Sequence, residues 1–286
     1  MQPEFEKFPH KPSWLKVKLP KGENYLKVKE LLSQQNLSTI CQSGKCPNLA
    51  ECWGAGTATF MILGAVCTRN CTFCNVSPGK PLAPDVEEPL KVAEAVKMMH
   101  LKHCVITSVT RDDLPDYGAT HWAKTIAEVK MLNPNTTIEV LIPDMKDDVY
   151  ALEMIINAKP DIISHNVETV KSLYKTVRPQ ANYERSIRQI ETTHDSGIRS
   201  KSGFMLGLGE KEDEILELID HLHAHKVDIL SIGQYLQPTA SHHKVIEFIE
   251  PDKFEYYRQY ARQKGVRYVE SGPLVRSSYH SENHLI

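Results

Sequence analysis

The 286 residues carry 34 Lys plus Arg against 36 Asp plus Glu, a formal charge of −2, which leaves no excess positive charge for nucleic acid or an anionic membrane surface. A chain of this length buries about three quarters of its unfolded surface in one core, and its 41% hydrophobic and 24% charged residues are ordinary for a globular protein. Its longest apolar run, residues 60–66, is too short to cross a bilayer.

Residues 1–21 hold Lys7, Lys11, Lys16, Lys18 and Lys21 beside Glu4 and Glu6, without an apolar stretch or a small-residue cleavage site, so no secretory signal is read there and a cytoplasmic location is expected. From about residue 58, short apolar or β-branched runs alternate with segments of helical period. Strands are expected at 59–63, 104–109, 137–142, 161–165, 202–206, 228–232 and 266–270, and helices at 87–100, 119–132, 149–158, 183–196, 210–225 and 252–264. Asn133-Pro134 and Lys159-Pro160 stop two helices, and Gly197 and Gly265 stand where terminating glycines belong. The alternation is that of a parallel βα fold, either a partial or full barrel or an open doubly wound sheet. In both, ligands collect past the carboxyl ends of the strands. The chain divides into an N-terminal extension (1–57), the βα unit (58–272) and a C-terminal tail (273–286).

Six of the seven cysteines fall between residues 41 and 74; only Cys104 lies outside, in a strand where a small hydrophobe packs. An odd count in a large chain without a signal argues against disulfides and for metal ligation. Cys67, Cys71 and Cys74 form C-x3-C-x2-C in the loop after the first strand. Three thiolates without a fourth leave one coordination position open, the arrangement of a catalytic rather than a structural site. Cys41, Cys46 and Cys52 form C-x4-C-x5-C, which suits no common zinc module and also lacks a fourth cysteine, so an oxygen or nitrogen ligand must complete it.

C-x3-C-x2-C after the first strand of a βα series, with Phe73 before the last cysteine, resembles the radical S-adenosylmethionine (radical SAM) superfamily. With the upstream triplet, the Ala58–Gly64 stretch and Arg276-Ser277-Ser278-Tyr279, the sequence resembles the lipoyl synthase family from about residue 38 to 280. The resemblance implies a partial (β/α)6-type TIM barrel with two 4Fe-4S clusters: Cys67, Cys71 and Cys74 hold the radical SAM cluster, and Cys41, Cys46, Cys52 and Ser278 hold an auxiliary cluster. Ser277 and Ser278 are not expected to ligate together, because adjacent residues of an extended segment point opposite ways. It further implies radical insertion of two sulfur atoms, drawn from the auxiliary cluster, at C6 and C8 of an octanoyl chain on a lysine of a lipoyl carrier domain. The implied partners are 2-oxoacid dehydrogenase acyltransferase subunits, the glycine cleavage carrier protein, and an electron donor such as ferredoxin or flavodoxin.

Asn166 and Glu168, after the fourth strand, and Arg178 are candidates for holding S-adenosylmethionine; as routine capping or surface groups they would have no such role. Thr107 and Ser108 end the second strand where related enzymes carry a glycine-rich segment. Gly207-Leu208-Gly209-Glu210 reads either as a tight turn or as a close approach to cofactor. His221 and His225 share a helix face but lack a third ligand, and Lys16, Lys18, Lys21, Lys27 and Lys29 read as solvated surface or as a greeting to an acidic carrier. Rival readings are a biotin synthase-like sulfur inserter, a methylthiotransferase, for which the chain lacks the length and charge of an RNA-binding domain, and a non-enzymatic iron-sulfur or zinc protein.

Overall fold

The structure, a computed structural model, describes residues 11–17 and 22–285; Lys7, Lys18 and Lys21 lie outside the described residues. Seven strands, Thr59–Ile62, His103–Ser108, Thr137–Leu141, Ile162–Ser164, Arg199–Leu206, Ile229–Gln234 and Tyr268–Gly272, lie side by side in chain order, every neighbouring pair parallel. Each of the first six leads to a long helix: Glu88–Met98, Ala119–Leu132, Val149–Asn157, Tyr183–Asp195, Glu212–Ala224 and Pro251–Lys264. Six βα units and a seventh strand make the expected partial barrel. The outer edge of the first strand is taken by the antiparallel pair Ser38–Thr39, with Ser38 opposite Met61. The first and seventh strands are therefore not partners, and a seam stays open between them.

Local chemistry sets the element ends. Asp148 accepts from the Ala151 N–H at 2.9 Å and Asn182 from the Arg185 N–H at 3.0 Å, each capping a helix N-terminus, an interaction that contributes about 1 kcal/mol. Gly197 and Gly265 follow helix ends at φ +83° and +112°, where a Cβ would be strained. Phe60, Met61 and Ile62 are at most 2% exposed; burial of each such side chain stabilises the barrel by roughly 1.5–3 kcal/mol.

Alternation along the strands puts two different layers inside the barrel. Thr107, Leu141, Gly203, Met205 and Gly233 line a cavity at the carboxyl ends. Two or four residues earlier, His103, Glu139 and Lys201 project the same way and form a charged floor in which Glu139 and Lys201 side chains are wholly buried. The fifth strand begins at Arg199, three residues before its expected start, because Ser200, Lys201 and Ser202 are polar by type yet buried here.

The N-terminal extension folds as a helix, Glu23–Gln34, and two short ones, Ile40–Ser43 and Leu49–Gly54, which carry or adjoin the first three cysteines. Trp53 is fully buried with them and stacks at 5.3 Å on Tyr25. No helix among the described residues is long and apolar enough to cross a membrane.

Candidate active site

Cys67 ends a short strand, Val66–Cys67, that pairs with Ser77–Pro78, so the loop bearing Cys67, Cys71 and Cys74 is closed at its base. Arg69, within the C-x3-C spacing, fixes that loop to the barrel. Its Nε and Nη2 donate to both oxygens of Asp112 at 2.8 and 2.9 Å, and Nη2 also reaches Asp144 at 2.5 Å. Asp112 follows the second strand and Asp144 the third. Burial would raise the Asp144 carboxyl, but the hydrogen bond and charge of Arg69 hold it well below the usual carboxylate range. The Thr110 N–H donates to the Cys67 sulfur at 3.3 Å. None of Arg69, Asp112 and Asp144 was singled out from sequence; an Asp in the loop after each of two adjacent strands was the available signal.

Cys67, Cys71 and Cys74 face a cavity of about 340 Å³ whose opposite wall includes Cys41, Cys46 and Ser278. Cys52 faces an adjoining cavity that Cys41, Cys46 and Ser278 also border. The seven cysteines are all free thiols. Burial raises Cys41, Cys46 and Cys71, and pushes Cys52 and Cys74 up to about 12, so without a bound cation these thiols hold their protons. Cys104 is fully buried in the second strand and belongs to the core.

The tail separates its two serines, though through a turn closed by the Tyr279 N–H on the Arg276 carbonyl at 2.9 Å and not through the extended segment expected. Ser277 accepts from the Asn166 Nδ2 at 2.6 Å, whereas Ser278 accepts from Thr59 Oγ1 at 2.8 Å. Thr59 also hydrogen-bonds to Cys41, whose thiol it pulls against the upward effect of burial. Ser278 and Cys41 thus share one threonine. Arg276, half-buried, borders both cavities, within the fields of Cys46 and Glu168.

Asn166, Glu168, Arg178, Thr107 and Ser108 all line the main cavity. Arg178 sits at the head of a directional chain: it donates to the Tyr174 hydroxyl at 2.9 Å, Tyr174 to Ser186 at 2.9 Å, and Ser186 meets His165 Nε2 at 2.9 Å, while His165 Nδ1 faces the Ile142 carbonyl at 2.8 Å. Arg178 also donates to the Asn166 carbonyl at 2.9 Å. Burial and the Arg178 charge push His165 down to about 4, so it is neutral and its Nε2 can accept. Glu168 holds a left-handed backbone at φ +67°, a strained conformation for a non-glycine residue, and burial raises its carboxyl. Thr107 spends its hydroxyl on the Leu141 carbonyl at 3.0 Å. Ser108 Oγ, Asn166 Oδ1 and Arg178 Nε are buried without a hydrogen-bond partner. Orphaned polar atoms on one cavity wall are groups awaiting a polar ligand.

Two other candidates fall elsewhere. Gly207 and Gly209 make a tight turn closed on itself, the Glu210 carboxylate accepting from the Gly207 and Leu208 N–H groups, and are absent from the cavity wall. His221 pairs with the Tyr183 hydroxyl at 2.8 Å, and no metal-ligating group of His, Cys, Asp or Glu forms there among the described residues. Lys27 pairs with Glu23 on the exposed face of its helix.

Residues 61–222 match the family model of the radical SAM superfamily, and residues 3–46 that of the N-terminal domain of lipoyl synthase. Lipoyl synthase of Phocaeicola vulgatus is 54% identical over 96% of this chain and 97% of that protein. The mitochondrial lipoyl synthase of Nematostella vectensis is 52% identical over 96% of this chain and 95% of its own. The chain belongs to the lipoyl synthase family. In fold it is similar to Streptococcus suis SuiB bound to S-adenosylmethionine (TM-score 0.59, 12% identity, 73% of this chain and 48% of that one) and to methylornithine synthase PylB (TM-score 0.56, 13% identity, 86% and 81%). Membership of the radical SAM superfamily implies a 4Fe-4S cluster and S-adenosylmethionine. The donor types suit both, since three thiols of one loop line the same cavity as Ser108, Asn166 and Arg178, each with a polar atom lacking a partner; as placed, no three His, Cys, Asp or Glu groups among the described residues, the thiols included, are gathered closely enough to hold a metal ion.

Proposed function

We propose that the protein is a sulfurtransferase that inserts two sulfur atoms, at C6 and C8, into an octanoyl chain carried on a lysine of a lipoyl carrier domain. One observation carries this reading: Cys67, Cys71 and Cys74 share the lining of one cavity with Cys41, Cys46, Ser278 and the cofactor-binding candidates, and Cys52 borders the adjoining cavity. Carbons 6 and 8 of an octanoyl chain have no acidity for a base to exploit, so hydrogen must leave as an atom. Cys67, Cys71 and Cys74 would hold the 4Fe-4S cluster that, together with S-adenosylmethionine, would supply hydrogen-atom abstraction.

The residues around it bind and orient. Arg178, aimed by its Tyr174–Ser186–His165 chain, meets the methionine carboxylate through its free Nε, and Asn166 and Glu168 hold amino or ribose groups. Leu141, Phe204 and Leu236 give the cavity the apolar wall an acyl chain needs. Cys41, Cys46, Cys52 and Ser278 would hold the auxiliary cluster, which would supply the sulfur. A serine oxygen is a harder ligand than thiolate and would hold iron less firmly than a fourth cysteine. The carriers are acyltransferase subunits of 2-oxoacid dehydrogenases and the glycine cleavage carrier protein, electrons come from a ferredoxin or flavodoxin, and seven free thiols suit a cytoplasmic home.

The test is anaerobic turnover with an octanoyl-lysine peptide and dithionite. Formation of 5′-deoxyadenosine together with peptide thiolated at C6 and C8 is expected. Deoxyadenosine without thiolation would reject sulfur insertion, and about four irons per chain instead of about eight after reconstitution would reject the second cluster.

A further inference from the structure

The charged floor of the barrel takes no part in the chemistry above, yet the last turn of the chain is inserted into it. Lys201 Nζ lies 2.7 and 2.9 Å from the two oxygens of Glu139, both side chains wholly buried. His284, 2% exposed and carried by the 3-10 turn Ser281–Leu285, brings Nδ1 within 3.5 Å of Lys201 Nζ. Its carbonyl accepts from Arg199 Nη1 at 2.8 Å, and its Nε2 stands 3.9 Å from the Glu270 carboxylate of the seventh strand. A histidine at a chain end, where side chains are ordinarily solvated and mobile, is thus buried among charges from three strands.

We propose that His284 is a positioning residue that holds Ser278 against the first cysteine triplet by anchoring the tail in the barrel floor. Ser278 has one protein hydrogen bond, from Thr59, and Ser277 one, from Asn166. Around them, Asn48 donates to the Leu274 carbonyl at 2.7 Å and Tyr279 to Glu51 at 3.0 Å, while His280 stands 3.8 Å from Glu51. Past this point the segment enters the barrel through the buried Ser281 and His284, and His284 makes the contact with the charged floor. The anchor and the two serine contacts pin the segment at both ends, which defines where the Ser278 oxygen can stand. Lys201 is held by Glu139 and donates toward His284 Nδ1, so His284 acts as a neutral acceptor; burial and the Lys201 charge push it down to about 4.

This inference rests on the reading that Ser278 completes the first triplet, and two measurements separate the two claims. In the full chain with its iron-sulfur clusters, His284→Ala should raise amide exchange across residues 276–280 at least about tenfold, since the segment then opens locally. Chelator removal of iron from the first-triplet site should accelerate by about tenfold, with release from the Cys67–Cys74 site unchanged. His284→Asn, whose side-chain oxygen can accept from Lys201 where Nδ1 does, should restore both rates to within about threefold of the parent. Unchanged exchange in His284→Ala overturns the anchor while leaving the Ser278 reading intact. Faster exchange with unchanged iron release overturns the link between anchor and Ser278. A parent protein holding only about four irons overturns both claims.

Discussion

The loop of Cys67, Cys71 and Cys74 and the segment of Cys41, Cys46 and Cys52 border adjoining cavities but are fixed by opposite means. The first is stitched to its immediate neighbours in the barrel: Arg69 to the loops after the second and third strands, and Thr68 to the Thr110 carbonyl at 2.9 Å. The second depends on the far end of the chain. Asn48 donates to the Leu274 carbonyl at 2.7 Å, Lys45 to Pro238 at 3.3 Å and Tyr279 to Glu51 at 3.0 Å, across sequence separations of 226, 193 and 228 residues. Asn75 alone ties the two together, donating to the Ser43 carbonyl at 2.7 Å. A site assembled from neighbouring loops is as rigid as the barrel. A site assembled from distant segments can be loosened without unfolding it, which suits the sulfur-donating role proposed for it.

The sharpest way to break this comparison is to remove each triplet in turn. Replacing Cys67, Cys71 and Cys74 with Ala should abolish both 5′-deoxyadenosine and thiolated peptide. Replacing Cys41, Cys46 and Cys52 should abolish thiolation alone and leave deoxyadenosine formation measurable by chromatography. Equal loss of both products in the two variants would show that the triplets do not divide the work.

Arg69→Ala comes next. It takes the bidentate partner from Asp112 and one of two guanidinium partners from the wholly buried Asp144, which keeps Arg185 at 3.2 Å, a change that destabilises by about 1–3 kcal/mol, read as a fall in denaturant midpoint. Arg69→Lys should recover little of this, because an ammonium cannot serve Asp112 bidentately and reach Asp144 as well. The tail offers the milder counterpart. Thr59→Val removes one hydrogen bond to Ser278 and should cost about 1 kcal/mol. Ser278→Cys should keep the iron content and reduce sulfur insertion; undiminished insertion would remove the argument from the hard oxygen ligand.

Acid stability offers a separate measure. His165 and His284 are pushed down to about 4 from the ordinary 6.5. Unfolded chains therefore bind more protons than folded ones as pH falls from about 6.5 to 4, and stability declines across that window by roughly 1 kcal/mol per pH unit for each histidine. His284→Asn should flatten the slope seen in chemical denaturation over that range. An unaltered slope would mean that His284 is already charged in the folded protein.

Strands and helices of the barrel were legible within three residues because period and helix-stop residues agree there. The fifth strand was shortened where Ser200 and Lys201 hide a buried segment behind polar types; only the partner Glu139, in another strand, accounts for the lysine. The six clustered cysteines were legible from spacing, since metal-binding geometry leaves a mark in sequence. Arg69 was not, because it occupies a position that the spacing treats as arbitrary. Thr59, Ser277 and His284 gain their meaning from contacts with residues far along the chain, which no local pattern records. Asn166, Glu168 and Arg178 were read from their place after a strand; the Tyr174–Ser186–His165 chain that aims Arg178 required coordinates.

The use of the final residues to close the first-triplet site also orders events during synthesis. A chain emerging from the ribosome begins to form its N-terminal elements first. Cys67, Cys71 and Cys74 can reach their place once the second and third strands exist, long before the tail appears. Ser278 becomes available to Thr59 only after the seventh strand has been made. The first cysteines to be made thus belong to the last site to be completed, so a truncated product lacks the closing serine at that centre and keeps the other intact.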